Sequence, residues 1–133
     1  EIMADMVSLG TQTVNVGDNV AFTTNRIGGN CQNIRHEPGS GRVTLLPGLY
    51  RVGFNGNFSA VAAGTLAFEI RQDGDSIPGS KIITTVTAAG YGNGSSTVEV
   101  RVNRPCCSTL SVRNIGTVAA IVSDANLVVS RIG

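Results

Sequence analysis

The sequence predicts an all-β domain, a sandwich or barrel of about ten short strands joined by turns. Three observations predict it. Helix signals are nearly absent, since no window of useful length repeats apolar residues at i, i+3, i+4 and i+7 behind a cap. Short β-branched runs separated by turn residues recur throughout. Between Leu45 and Phe58, a Pro47-Gly48 turn launches a long run of period two. Tyr50, Val52, Phe54, Gly56 and Phe58 fall on one face of that run, and Leu49, Arg51, Gly53, Asn55 and Asn57 on the other. Successive strand residues point to opposite faces, so this strand should have a buried and a wetter side, with Tyr50, Phe54 and Phe58 in the core.

The elements follow in order. Val14 to Val16 and Asn19 to Arg26 read as a first strand pair, broken at Gly17-Asp18. The chain then turns through Gly28-Gly29-Asn30 toward Cys31. Ile34 to His36 is a short piece before the Pro38-Gly39-Ser40-Gly41 turn. Arg42 to Leu46 enters the Pro47-Gly48 turn, and the long strand runs from Leu49 to Ala60. Thr65 to Gln72 alternates, with Leu66, Phe68 and Ile70 inward and Thr65, Glu69 and Arg71 outward. Asp73-Gly74-Asp75 is a hairpin signal, because Asp-Gly suits a tight turn with positive φ. Ser80 to Ala88 is the next strand, followed by a flexible loop at Gly90-Tyr91-Gly92-Asn93-Gly94. Thr97 to Asn103 alternates Val98, Val100 and Val102 against polar residues. Pro105-Cys106-Cys107 is a turn, and Thr109 to Asn114 points Leu110 and Val112 inward. Ala119 to Ser123 and Ala125 to Ile132 close the chain. A terminal apolar strand left unpaired would invite aggregation, so the last one should lie within a sheet.

The 133 residues make one domain, 1–133, with no internal repeat or linker, and residues 1–15 are open to reading as a lead-in from an upstream stalk. The chain starts at Glu1 without a methionine and is expected to be a fragment or a processed form. Hydrophobic residues make up 41%, enough for a core, and charged residues only 14%. An ordinary soluble domain carries roughly 25% charge. That shortage suggests a surface partly covered by further copies of the chain, because interface cores are depleted in charge. The alternative is a compact monomer rich in Thr, Ser and Asn. Net charge is +1, and the arginines are scattered with Lys81 as the only lysine, so no footprint for nucleic acid is visible. No apolar run is long enough to span a bilayer, and no signal peptide is expected within these residues.

Candidate chemistry is sparse. Cys31, Cys106 and Cys107 are odd in number and cannot all pair within the chain. A zinc site would want about four ligands, and His36 is the only histidine. Adjacent cysteines are expected not to bond to each other, and Cys106 and Cys107 are candidates for an interchain disulfide. Cys31 with His36 could suggest a thiol nucleophile, but a loop thiol and a solvated histidine explain both residues. Ser40 lacks the strand-to-helix elbow of a serine nucleophile. Asp73-Gly74-Asp75-Ser76 starts like a calcium loop, yet Ile77-Pro78-Gly79 interrupts it and no acidic residue closes it. No cofactor is implied. The glycine-rich segments lack the Lys and following helix of a phosphate loop. Tyr91 and Asn93 are the candidate recognition loop, with Tyr91 the amphipathic contact favoured in binding loops.

The strand at Pro47-Gly48-Leu49-Tyr50 looks like the Gly-x-Tyr strand of the trimeric jelly roll shared by tumour-necrosis-factor-like and complement-q-type heads. The stretch from Phe68 to Ser80, with its Asp73-Gly74 turn and Pro78-Gly79-Ser80 step, is similar to a hairpin of the bacterial branch. Its best-known members are the C-terminal heads of Bacillus collagen-like exosporium proteins. The tail from Asn126 to Gly133 resembles their closing strand. The resemblance covers roughly residues 16 to 133. The cysteines depart from it, and no binding residue carries over. It implies a two-sheet antiparallel jelly-roll sandwich forming a homotrimer, often on a collagen-like or coiled-coil stalk.

The expected function is therefore non-enzymatic. The chain would be the trimerising head of a fibrous surface protein on a bacterium, spore or bacteriophage, acting in assembly and in attachment to a surface receptor or glycan. The location would be extracellular, on a bacterial, spore or virion surface, with no nucleic acid bound and no membrane insertion. The alternative is a monomeric carbohydrate-binding jelly roll, which would need exposed aromatics. A cupin-like enzyme would need a histidine-rich metal set that one histidine does not supply.

Overall fold

The computed structural model describes residues 3–27, 33–88 and 90–133. Among these residues twelve strands make two sheets, and none is helical. They are β1 (Met3–Val7), β2 (Thr11–Val14), β3 (Thr24–Ile27), β4 (Ile34–Arg35), β5 (Val43–Leu45) and β6 (Gly48–Ser59). The second half adds β7 (Gly64–Gln72), β8 (Asp75–Ser76), β9 (Ile82–Val86), β10 (Tyr91–Val102), β11 (Ser108–Asn114) and β12 (Ala120–Arg131). The first sheet runs β10-β6-β12-β1-β3, with β2 also on β12. The second runs β4-β5-β11-β7-β8, with β9 also on β7. The pairings between these strands are all antiparallel.

The long β6 alternates as its sequence requires. Tyr50, Val52, Phe54, Gly56 and Phe58 face the second sheet and are buried, while Arg51, Asn55 and Asn57 are exposed. Phe58 stacks on Phe68 of β7 at 4.7 Å between ring centroids, and Phe54 packs against both rings at 6.2 and 6.3 Å. Each such side chain contributes about 1.5–3 kcal/mol through burial. Tyr50 is also fully buried, and its hydroxyl donates to Leu46 O at 2.7 Å, tying the turn before β6 to the core. Leu66, Phe68 and Ile70 of β7 and Leu110 and Val112 of β11 supply the facing layer.

The C-terminal strand is interior. β12 pairs with β6 on one side and with β1 and β2 on the other. The two closing runs expected from sequence form one strand, with a register shift between Ser123 and Asn126 and Asp124 at φ 50°. β2 pairs before this bulge and β1 after it. Met3–Val7 and Thr11–Val14 are thus strands of the first sheet, both paired with β12. The expected first pair is also redrawn. β2 lies on β12 and β3 on β1, while Val20 and Phe22 enter the core between them.

At the Asp73-Gly74 hairpin, φ is 53° and 84°, the left-handed pair that a two-residue turn with this twist requires. β8 folds back on the end of β7 there. Glu69, expected outward, is buried at 4% exposure. The returning hairpin covers it. Arg71 Nε donates to its Oε1 at 2.9 Å, and the Ser76 hydroxyl donates to its Oε2. Burial would raise the carboxyl's pKa, but the hydrogen bonds from Ser76 and Arg71, with the charges of Arg71 and Lys81, outweigh it and hold the value below the usual 4.5.

Of the expected loop at Gly90–Gly94, Tyr91 to Gly94 is strand. β10 begins at Tyr91 and pairs with β6 without a break, from Tyr91 opposite Ser59 to Val102 opposite Gly48. Gly92 and Gly94 face β9 across the sandwich, where a Cβ on Gly92 would sit 2.7 Å from Thr84 Oγ1 and one on Gly94 would collide with Ile82 Cγ2. The glycines mark a close approach of two strands rather than a mobile connection.

Candidate functional site

Three features gather polar and chemically active groups: the outward face of the first sheet, the end of the sandwich around His36, and the outward face of the second sheet. On the first sheet, the registers set residues in rows across β10, β6 and β12. Asn93 lies opposite Asn57, and Asn57 opposite Ser123. The next rows are Ser95–Asn55–Asn126 and Thr97–Gly53–Val128. These central rows carry no charge. Around them lie two ion pairs, Arg51 with Glu99 at 2.7 Å and Arg26 with Asp5 at 2.7 Å, and the exposed Arg101 and Asp124. Asp5 also accepts from the Asn126 amide. Tyr91 starts the face at 72% exposure, and two adjoining grooves of about 280 and 520 Å³ run past Asn57, Asn93 and the Asp124 bulge. Tyr91 and Asn93, expected on a loop, therefore share a strand face with β6 and β12.

His36 is a structural tie. Its Nδ1 meets Asn25 Oδ1 and its Nε2 meets Ser40 O at 2.8 Å. Asn25 Nδ2 returns a hydrogen bond to His36 O at 2.9 Å, and Phe22 meets the imidazole edge-on. Both ring nitrogens are occupied, joining β3 to the turn before β5. The Ser40 hydroxyl instead accepts from Arg42 N at 3.1 Å, so no Ser–His pair forms. Asn25, His36, Ser40 and Arg42 line a cleft of about 440 Å³. Cys31 and the Gly28-Gly29-Asn30 turn lie outside the described residues.

Cys106 and Cys107 are bonded to each other. This departs from the expectation that adjacent cysteines do not pair, and in this state neither sulfur is free to join another chain. Asp73 Oδ1 accepts from Thr109 N at 2.9 Å, which fastens the Asp-Gly turn to β11. Among the described residues no group of three His, Cys, Asp or Glu could hold a metal ion, and no helix is long and apolar enough to cross a membrane.

The second sheet has a different outward face. Arg35 lies beside Thr44 and Thr44 beside Thr109, while Ser111 lies opposite Arg71 and Arg113 opposite Glu69. Arg42 stands just before β5 and is exposed. Arginines separated by up to 78 positions thus share one face, a grouping that the sequence order hid. Nothing in the spacing could reveal it without the sheet order β4-β5-β11-β7.

Two sheets in this order make the jelly roll of complement-q-type and tumour-necrosis-factor-like globular domains. Among solved structures, the globular domain of a zebrafish complement 1qA protein is similar at TM-score 0.64 and 10% identity, covering 100% of this chain and 98% of its own. Eiger TNF from S. frugiperda is similar at TM-score 0.71 and 12% identity, covering 99% and 92%. Murine APRIL is similar at TM-score 0.64 and 10% identity, covering 98% of both chains. No protein-family model and no curated protein matches the sequence.

Proposed function

We propose that the chain is the homotrimerising, non-enzymatic head of a fibrous surface protein, of the collagen-like bacterial, spore-surface or phage-fibre kind, acting in assembly and attachment. The observation that carries this reading is the contrast between the two outward faces. The β10-β6-β12 face has uncharged central rows that include the partly buried Val128, whereas Arg42, Arg71 and Arg113 gather in one cleft on the other face. Central rows without charge cost little to desolvate and suit contact with copies of the chain. Tyr91 and Asn93 belong to that contact in this reading, because aromatic side chains anchor interfaces. The jelly-roll fold and the resemblance of its closing strand to bacterial collagen-like heads support the surface role. The Cys106–Cys107 disulfide fits an oxidising, extracellular location.

Sedimentation of wild type and Val128→Glu tests the contact. The expected result is a trimer that the variant converts to folded monomer. An unchanged assembly in the variant would place the contact elsewhere. A second reading, a monomeric carbohydrate-binding module, draws on the exposed Tyr91 beside Asn57 and Asn93, an aromatic platform flanked by amides. It gains the lead if wild type sediments as one chain and binds glycans that Tyr91→Ala does not.

A further inference from the structure

We propose that the cleft between Arg42, Arg71 and Arg113 on the second sheet binds a sulfate or phosphate ester carried on a carbohydrate. The cleft has a volume of about 440 Å³, within the range of small-ligand sites. Three guanidinium side chains line it, and they are held differently. Arg71 is fixed: its Nε and NH2 engage Glu69 Oε1 at 2.9 and 2.8 Å, and its NH1 donates to Gly74 O at 2.8 Å. Arg42 and Arg113 make no guanidinium hydrogen bond or ion pair with another described residue. Asp73 is the facing carboxylate, and its Oδ1 already accepts from Thr109 N. Glu69 offsets Arg71 and Asp73 offsets one more charge, which leaves the cleft positive.

The geometry selects the ligand class. Guanidinium groups present planar forks that match tetrahedral oxyanions two oxygens at a time. The hydroxyl of Ser111 lies on the same outward row as Arg71 and adds a neutral donor and acceptor. No aromatic side chain lines the cleft. Sequence-tolerant nucleic-acid sites stack bases on aromatics along an extended positive track, and this cleft offers neither. Hydroxyl and amide groups beside the arginines suit sugar hydroxyls instead. The site does not depend on the state of assembly, since each chain supplies all of its residues.

The test is calorimetric titration of the whole chain with a heparin octasaccharide, the same oligosaccharide after desulfation, inorganic phosphate, and a single-stranded oligonucleotide of equal charge. The expected result is binding to the sulfated sugar that weakens with added salt and is lost on desulfation. Inorganic phosphate should bind more weakly than the sulfated sugar, because it lacks the sugar hydroxyls. The double variant Arg42→Gln/Arg113→Gln should bind the sulfated sugar at least about tenfold more weakly, with its melting temperature reporting that it folds. Arg101→Gln removes the same kind of charge from the other sheet and should leave binding unchanged. If the double variant fails to fold, Ser111→Asp places a carboxylate in the cleft and should abolish binding. Equal losses from Arg101→Gln, an unaffected double variant, tighter binding of the oligonucleotide, or no binding by the wild-type chain would each overturn the proposal.

Discussion

Gly94 on β10 lies directly across the sandwich from Ile82 on β9, with no room between them for a Cβ. The two sheets approach closely here because β10 carries hydrogens where other strands carry side chains. Gly94→Ala would drive a methyl into a β-branched neighbour that has little rotamer freedom. The expected cost is about 1–3 kcal/mol, read as a lower midpoint in urea. Gly53→Ala is the comparison, since its Cβ would meet only Thr97 Oγ1 at 3.6 Å. That variant should change stability by less than about 1 kcal/mol.

Asn114 is fully buried and stitches distant parts of the chain together. Its Nδ2 donates to Val14 O at 2.8 Å and to Val118 O at 3.3 Å, and its Oδ1 accepts from Gly116 N at 2.9 Å. Asn114→Leu keeps the branching at Cγ but strands these groups away from water. Each unsatisfied buried group costs about 1–3 kcal/mol, so the loss should be of at least that size. Thermal unfolding of the variant measures it, and a drop of only a degree or two would contradict the account.

The buried Glu69 gives acid sensitivity with a defined sign. Its folded pKa is depressed below the usual 4.5, so its ionisation contributes stability that is fully present above that value. The contribution is lost as pH falls from 4.5 through the lower folded value. Glu69→Gln removes it. The stability difference between wild type and variant should therefore be largest near neutrality and shrink below pH 4.5. A difference that stays constant on acidification would show that the Arg71 and Ser76 contacts do not hold the charge.

The cysteine pair makes a chemical prediction. With Cys106 bonded to Cys107, the intact mass should be lighter by two hydrogens than the reduced chain, and the digest should place both sulfurs on one peptide. A non-reducing denaturing gel should show no oligomer linked through these sulfurs. Bands of two or three chains that vanish with reductant and survive only when Cys106 and Cys107 are intact would contradict the pairing.

How far the sequence could be read follows from the range of each signal. Local alternation is a short-range property, so β6, the Leu66–Phe68–Ile70 face of β7 and the Asp73-Gly74 hairpin were legible residue by residue. Gly90 to Gly94 was misread because glycine marks both turns and close strand approaches, and only the position of Ile82 on the opposite sheet distinguishes them. The pairing of β1 and β2 with β12 joins the two ends of the chain, and no local pattern encodes it. The outward burial of Glu69 depends on β8 folding over it. The arginine face was illegible for the same reason: Arg42, Arg71 and Arg113 meet only because β5, β11 and β7 are neighbours.

The central claim is that one outward face of this jelly roll is covered by copies of the chain. Light scattering of the protein in solution, with and without reductant, tests it most directly. The account predicts the mass of three 13.7 kDa chains under both conditions. A clean single-chain mass at concentrations well above those of the assay's detection limit would contradict it.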